Sequence, residues 1–257
     1  MLESIKRKVP YFIEFARHGE VLNILNSLLL LFELQPFGRD RIIHRSFGNL
    51  FVRGGTTDYL YASEAWEQMT LSWIMRQRDI KQLIIVGACI GEWPVKLAAL
   101  GIKRIMQLEP EPSSYRSLLI NSTLNSINSI NLQVAASDKS GAAAIRQQRV
   151  NRGSATLEDG SDQRDARVQV VTLDEIIPRH GFDATASTLV MVDAEGHDLR
   201  VLAGMRNILM LYERVAVILE YSREEGAIES FRNAFGFDYT QQVLDKDNCV
   251  FTKGVWT

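Results

Sequence analysis

The rhythm of apolar and polar positions changes near residue 82. Before it, the apolar positions of "VLNILNSLLLLFEL" recur at helical spacing, and "PFG" at 36–38 breaks the run. "NLFVRGGTTDYLY" reads as a strand, a Gly-Gly turn and a new start. Thr57 or Asp58 stands where it can cap the helical segment "YLYASEAWEQMTLSWIMRQ". From Gln82 onward strands alternate with helices. Strands are expected at 82–87, 104–109, 131–137, 168–172, 188–193, 214–221 and 248–252, and helices at about 91–100, 112–126, 197–211 and 224–235. Such alternation predicts an α/β fold, a mostly parallel seven-stranded sheet with helices on both faces. The near-continuous apolar runs "QLIIVG" and "TLVMVD" suit strands buried on both sides. The segment 151–167, "NRGSATLEDGSDQRDAR", is polar and rich in Gly and Ser, and reads as a loop. The chain thus divides into a helical N-terminal extension, 1–80, and an α/β domain, 81–257. The extension is expected on the acceptor or oligomer side.

Composition narrows the picture. Of 257 residues, 46% are apolar, enough for a substantial core, and 23% are charged. The net charge is −2 with no long run of Lys or Arg, so no nucleic-acid partner is expected. Cys89 and Cys249 make no disulfide framework, which points to a reducing, cytoplasmic setting. The apolar stretch around Leu28 to Phe32 is interrupted by Asn23, Asn26 and Glu33. It is too short to span a bilayer, so no transmembrane segment is expected. It lies behind a charged start, unlike a signal peptide. It reads as an amphipathic helix packed on the domain or on a second copy in a homodimer. Peripheral contact with a membrane surface is the alternative.

Open α/β sheets bind ligands outside the carboxyl ends of their strands. In "LIIVGACIGEW", 83–93, a buried strand runs into a turn carrying Gly87, Ala88, Cys89 and Gly91, then Glu92 and Trp93. Small residues there let a ligand approach the backbone. The spacing is G-x-x-x-G, not the dinucleotide pattern G-x-G-x-x-G. Glu109, 22 residues after Gly87, ends the next strand, where a carboxylate accepts ribose hydroxyls, and Pro110 stops that strand. Ser137 and Asp138 follow the third, with Asp138 placed for an adenine amino group. Asp193, Glu195 and His197 follow a later strand, and Glu220 another. So many acids repel a pyrophosphate and welcome a cation. S-adenosylmethionine has a sulfonium, an adenine and a ribose but no phosphate, and the charge pattern favours it over a nicotinamide dinucleotide.

"VGACIGEW", "LEPEPSSYRSLLIN", "AASDKSG", "VVTLDEII" and "VDAEGHDLRVLAGM" resemble, in order, the motifs of the FkbM-type methyltransferases, and "LFVRGGTTD" is similar to a segment preceding the cofactor domain there. The resemblance covers roughly residues 50–222. It implies a Rossmann-like methyltransferase fold, S-adenosylmethionine as cofactor, and O-methylation of hydroxyls, often on sugars of glycans or glycosylated natural products. Two positions depart from the family's pattern. Ile85 stands where the family has Asp, and Cys89 where it has Asn. The absent acid normally helps hold the methionine end or a glycine-loop amide. Glu92 and Asp193 are placed to substitute in part.

A hydroxyl acceptor needs a base. His197 is the first candidate, since it titrates near neutrality, and Asp193 the second, with Glu195 orienting the base or the acceptor. Alternatively Asp193, Glu195 and Glu220 hold a divalent cation, although no metal is the preferred reading. Plainer roles compete: His197 as a helix cap, Asp198 as a first-turn acid, Cys89 as a filler, and Arg53 with Asp58 as a turn-bound ion pair against a role in closing the pocket. A scaffold with impaired turnover is the runner-up function.

Overall fold

The apolar run at 82–86 becomes the middle of the sheet, because a strand flanked on both edges and covered on both faces must be apolar throughout. All five of its residues are buried. The computed structural model describes residues 2–146, 156–158, 166–220, 229, 231 and 239–256. Helices α1 (Leu2–Arg17) and α2 (Val21–Leu31) lead to a hairpin of β1 (Arg41–Arg45) and β2 (Gly48–Val52), then α3 (Asp58–Tyr61) and α4 (Gln68–Arg76). Next come β3 (Gln82–Val86), α5 (Glu92–Lys96), β4 (Arg104–Leu108), α6 (Pro112–Leu124) and β5 (Ile130–Leu132). A second group comprises β6 (Ala135–Ala136), β7 (Gly141–Arg146), β8 (Thr156–Glu158) and β9 (Ala166–Val171). The chain ends with α7 (Leu173–Arg179), β10 (Thr188–Val192), α8 (Asp198–Ala203), α9 (Arg206–Leu211), β11 (Val215–Glu220), β12 (Thr240–Val243) and β13 (Asn248–Lys253).

The main sheet has seven strands in the order β12-β13-β11-β10-β3-β4-β5, and β13 alone runs against the rest. Its membership differs from expectation. The strand expected at 131–137 splits, because the chain leaves the main sheet after Leu132. Ala135 and Ala136 then pair with Val170 and Val171 in a separate four-stranded sheet. The strand expected at 168–172 belongs to that smaller sheet, as part of β9. The seventh main strand is the polar, mostly exposed "TQQV" of β12, an edge that shows no apolar run. The helix expected at 91–100 is α-helical only to Lys96 and ends as a 3-10 turn, Ala98–Leu100. The helix expected at 197–211 breaks at Gly204, where a side chain would meet the Ser137 carbonyl oxygen at 1.9 Å. Within the expected loop 151–167 lie β8 and the start of β9; the rest, and most of the expected helix 224–235, fall outside the described residues.

Alternate residues of the central strands face opposite ways. Ile84, Val86, Val190 and Val217 pack one face; Leu83, Ile85, Met191 and Ile218 pack the other with Trp73 and Trp93. The N-terminal residues dock on this second side. Phe15, Leu50, Tyr59 and Tyr61 share a buried cluster with Cys89, Ile90 and Val95. Asn121 on α6 and Asn125, the residue that caps its C-terminus one turn later, act as a substitute strand. Asn125 accepts from Asn49 N at 2.9 Å and donates to Asn49 O at 2.7 Å; Asn121 accepts from Phe51 N and donates to Phe51 O at 3.2 Å. Four residues of helix rise about 6.0 Å, close to the two-residue strand repeat of about 6.4–6.8 Å.

Candidate functional site

The chain runs outward from β3 to β4 and β5, then returns to β10 on the other side of β3. The switch point therefore lies outside the carboxyl ends of β3 and β10, where a ligand crevice forms. Gly87 makes the crevice. Its φ is +76°, and a Cβ there would stand 1.8 Å from the Asp193 carbonyl oxygen. Asp193 N in turn donates to Val86 O at 3.1 Å. Gly87 N and Ala88 N both donate to Leu108 O, at 3.0 and 2.9 Å. The Glu109 carboxylate then gathers two further amides, Cys89 N at 2.8 Å and Glu111 N at 2.8 Å. Burial pushes Glu109 up to about 8, against the opposing pull of those N–H groups. One N–H per oxygen leaves each oxygen with lone-pair capacity for a hydroxyl.

The N-terminal segment locks onto this loop. Arg53 makes a bidentate pair with Asp58, at 2.7 and 2.9 Å, and its Nη1 reaches Glu111 at 3.5 Å and Ser114 Oγ at 3.1 Å. Arg53, Asp58 and Glu111 are 8%, 1% and 1% exposed. Glu111 also caps α6, accepting from the amides of Ser113 and Ser114. The "RGGTTD" turn is thus both an ion pair and a fastening to the cofactor side of the sheet.

Two cavities meet at Gly87 and Asp193. The narrow one is bordered by Glu109, Pro110, Val134, Ala135, Ala136 and His197. The wide one has a volume of about 570 Å³, within the range of small-molecule sites. Val86, Gly87, Asp193 and Glu195 line both. The wide cavity has an apolar floor, Ile85, Met191 and Ile218, which stand in register on adjacent strands. Tyr61, Trp66 and Trp93 wall it. Its charge is lopsided, with seven carboxyls against Lys8 and Lys246 among the described lining residues. Burial, with crowding added, raises three of them. Glu67 is pushed to about 8, Glu92 to about 7 and Glu220 to about 9, burial being the largest cause each time. Glu220 shares a hydrogen bond with Asp193. Since Glu220 keeps its proton at neutral pH, it is the donor. Glu67, Cys89 and Glu195, all with positive φ, line this cavity too. Such backbone strain gathers at functional sites.

The expected residues separate. Gly87, Cys89, Glu92, Asp193 and Glu195 line the wide cavity; Glu109, Pro110 and His197 line only the narrow one. Ala88 and Gly91 shape the turn beneath. Glu92, expected at the cofactor, faces only the wide side. His197 stands away from the wide cavity, and its Nε2 lies 2.8 Å from Ser137 Oγ. The Ser137 hydroxyl itself donates to Asp138 at 2.9 Å, so His197 must supply the proton of their bond. Ser137 and Asp138 line neither cavity; they hold the loop against α8. Asp198 does more than complement a helix dipole. It accepts from Ala194 N at 2.8 Å and Gly196 N at 3.1 Å, fixing the turn that carries Glu195. Among the described residues no group of three His, Cys, Asp or Glu is arranged to hold a metal ion, and Asp193, Glu195 and Glu220 do not form one. Sequence reasoning missed Tyr61, Trp66, Glu67 and the 245–248 turn, which carry no motif.

A parallel sheet with one reversed strand, a glycine turn on its first central strand and a carboxylate ending the neighbour define a Rossmann-like methyltransferase. The sequence matches the methyltransferase FkbM domain over residues 86–245, more than half of the chain. The protein belongs to that family, whose methyl donor is S-adenosylmethionine. A comparison with curated protein sequences gives no match. Solved structures that it resembles include M. jannaschii TYW2 in complex with AdoMet, at 15% identity, covering 84% of this chain and 86% of that chain with a TM-score of 0.45. Another is the T. thermophilus 16S rRNA N2 G1207 methyltransferase RsmC in complex with AdoMet and guanosine. It shows 10% identity, with 84% of this chain and 50% of that chain covered and a TM-score of 0.46. A SAM dependent methyltransferase from Agrobacterium tumefaciens shows 9% identity, 85% and 71% coverage and a TM-score of 0.45. Likenesses this distant carry no argument about the acceptor. No helix of the described residues is long and apolar enough to cross a membrane.

Proposed function

We propose that this chain methylates a hydroxyl of a small acceptor, a sugar or glycosylated molecule, held in the wide cavity. The observation that carries the reading is the meeting of two unlike cavities at Gly87 and Asp193. At the narrow one, about 30 Å³ and so in need of widening to admit an adenosine, the small residues Ala135 and Ala136 border the space and Glu109 offers oxygens to ribose hydroxyls. Gly87, Cys89 and Asp193 then border the methionine end. The acidic surroundings fit a sulfonium and disfavour a phosphate-bearing acceptor.

S-adenosylmethionine, when bound, supplies an electrophilic methyl group on a positively charged sulfur. The protein's part is alignment and proton removal. The apolar floor of Ile85, Met191 and Ile218 excludes water beneath the reacting groups, and alignment of this kind supplies up to about 7–11 kcal/mol. Asp193 is the base in this reading. It shares a hydrogen bond with Glu220 and lies at the junction, whereas His197 Nε2 is engaged with Ser137. Asp193 would accept the proton of the acceptor hydroxyl as its oxygen takes the methyl group, the sulfur of the bound cofactor keeping the electron pair of the bond it gives up. His197 positions the 193–198 turn.

Calorimetric titration with S-adenosylmethionine and S-adenosylhomocysteine, with NAD as control, tests the cofactor. Micromolar binding that collapses in Glu109→Ala supports the reading, and tight NAD binding or none for either sulfur compound refutes it. With an acceptor in hand, Asp193→Asn is expected to lower kcat by about 10²–10⁴ while retaining cofactor. His197→Gln is expected to lower kcat by less than about tenfold; the reverse ranking would restore His197 as base.

A further inference from the structure

The wide cavity holds an unmet demand for a donor. Glu92 is 4% exposed, lines the cavity, and its Oε2 accepts no hydrogen bond. A buried carboxyl oxygen left so carries the desolvation penalty of an unmade hydrogen bond. Lys96, one turn along, lies within electrostatic reach of both Glu92 and Glu67 but gives that oxygen no hydrogen bond. Lys96 Nζ donates to Ser63 O at 3.2 Å and lies over the rings of Phe47 and Trp93, 5.6 and 5.8 Å from their centroids. Of the two lining lysines, Lys246 pairs with Asp247 at 2.9 Å. A second carboxyl, Glu67, stands within electrostatic reach, since Glu92 is among the groups that raise it. Glu67 sits at φ +47°, a conformation that residues other than glycine adopt only when held there. The hold is visible: Glu14 of α1 accepts from Glu64 N and Ala65 N, at 3.0 and 3.2 Å, and fastens the turn preceding Glu67. Trp66 meets Tyr61 edge to face at 4.7 Å, and both line the cavity. Aromatic faces beside carboxylates are what an ammonium group selects.

We infer that the acceptor carries a protonated amine that binds between Glu92 and Glu67 against the Trp66 and Tyr61 rings, which makes it an amino sugar or aminocyclitol rather than a neutral or acidic sugar. The inference rests on the methyltransferase reading above and sharpens its acceptor. The cofactor alone does not answer the charge. It brings a sulfonium, an ammonium and a carboxylate, a net charge of one, against seven carboxyls. In the reading above its methionine end meets Gly87, Cys89 and Asp193, and neither Glu67 nor Glu92 borders the narrow cavity assigned to its adenosine. Burial first, and repulsion from Asp193, hold both carboxyls above their ordinary range against the pull of Lys96, and a further cation beside them offsets that repulsion.

The test is calorimetric titration at pH 7.5, with S-adenosylhomocysteine saturating, of two matched pairs: glucosamine against N-acetylglucosamine, and 2-deoxystreptamine against scyllo-inositol. The amine member of each pair is expected to bind about tenfold tighter or more, the scale of one charge-assisted hydrogen bond. Glu92→Gln and Glu67→Gln should each remove most of that preference, leave S-adenosylhomocysteine affinity within about twofold, and retain the wild-type circular dichroism spectrum. Equal binding within a pair, preference for the neutral member, no binding by either amine at millimolar concentration, or full discrimination in both variants overturns the inference. Failure of the wild-type protein to bind S-adenosylhomocysteine is a separate result and overturns the methyltransferase reading beneath it.

Discussion

Replacing Gly87 with Ala perturbs the crevice at its tightest point. At φ +76° an alanine pays the left-handed penalty of about 1–2 kcal/mol. Its Cβ would stand 1.8 Å from the Asp193 carbonyl oxygen and 2.9 Å from the carbonyl carbon. Both atoms are backbone, so no side chain can turn aside; β3 and β10 must part at their carboxyl ends. Overpacking of a tight interior costs about 1–3 kcal/mol. The stiffer unfolded chain returns about 0.4–1 kcal/mol. The sum is a destabilisation of about 1–5 kcal/mol. Gly101→Ala isolates the clash: Gly101 has φ +60° but nothing within 4 Å of a built Cβ. It suffers the conformational penalty alone, so the two variants should differ by the packing term, about 1–3 kcal/mol. Urea unfolding followed by circular dichroism measures the difference, and titration with S-adenosylhomocysteine reads the crevice itself. Gly87→Ala should bind at least about tenfold more weakly, and Gly101→Ala like wild type. Equal stability of the two variants, or wild-type affinity in Gly87→Ala, would refute the argument that this contact forms the site.

Stability should fall as pH rises. Glu67, Glu109 and Glu220 are held at about 8, 8 and 9 against an ordinary 4.5, so the folded state binds the extra protons. Their contribution is full below pH 4.5 and lost as pH climbs through 8 to 9, each group adding a slope of at most about 1.4 kcal/mol per pH unit; a cofactor-free melting temperature that rises from pH 5 to 8 contradicts this. Arg53→Met leaves Asp58 and Glu111 buried without their cation and should cost about 3–5 kcal/mol in urea unfolding; a loss below about 1 kcal/mol, the scale of a surface pair, would show the pair to be solvated. Ile85→Asp should destabilise the fold without improving cofactor affinity, because residue 85 is 2% exposed between Met191 and Gln107 in the sheet; tighter binding at unchanged stability would mean the family's acid is simply missing.

The parts legible in the sequence are those that repeat. The strands at 82–86 and 188–192 declare themselves by unbroken apolar runs, and Gly87 and Glu109 by their places at strand ends. What stays hidden depends on partners distant in the chain. Asn121 and Asn125 break no helical pattern, so nothing in their spacing announces that they pair with β2, some 70 residues earlier. Trp66 and Glu67 escape notice because the positive φ that turns Glu67 into the cavity carries no glycine to mark it. The divorce of His197 from the wide cavity is equally invisible. "VDAEGHD" puts Asp193 and His197 four residues apart, but Asp198 curls the turn by binding Ala194 N and Gly196 N, and of the two only Asp193 reaches the wide cavity.

The apolar residue at 85 makes sense in this light. Ile85 stands in register with Met191, and Met191 with Ile218, so the floor of the wide cavity is a continuous apolar row across three strands. A carboxylate in that row would be desolvated on both sides and would face Glu92 and Glu220, which burial and the neighbouring Asp193 already raise. Negative charge has not been lost from the site; it stands at the rim of the cavity rather than beneath the glycine turn. A floor without charge under a rim rich in it suits a ligand whose apolar underside meets the sheet and whose cationic group meets the walls. In this reading the departure from the family's pattern and the choice of acceptor are one adaptation. The position that lost its acid and the unpartnered oxygen of Glu92 belong to the same surface.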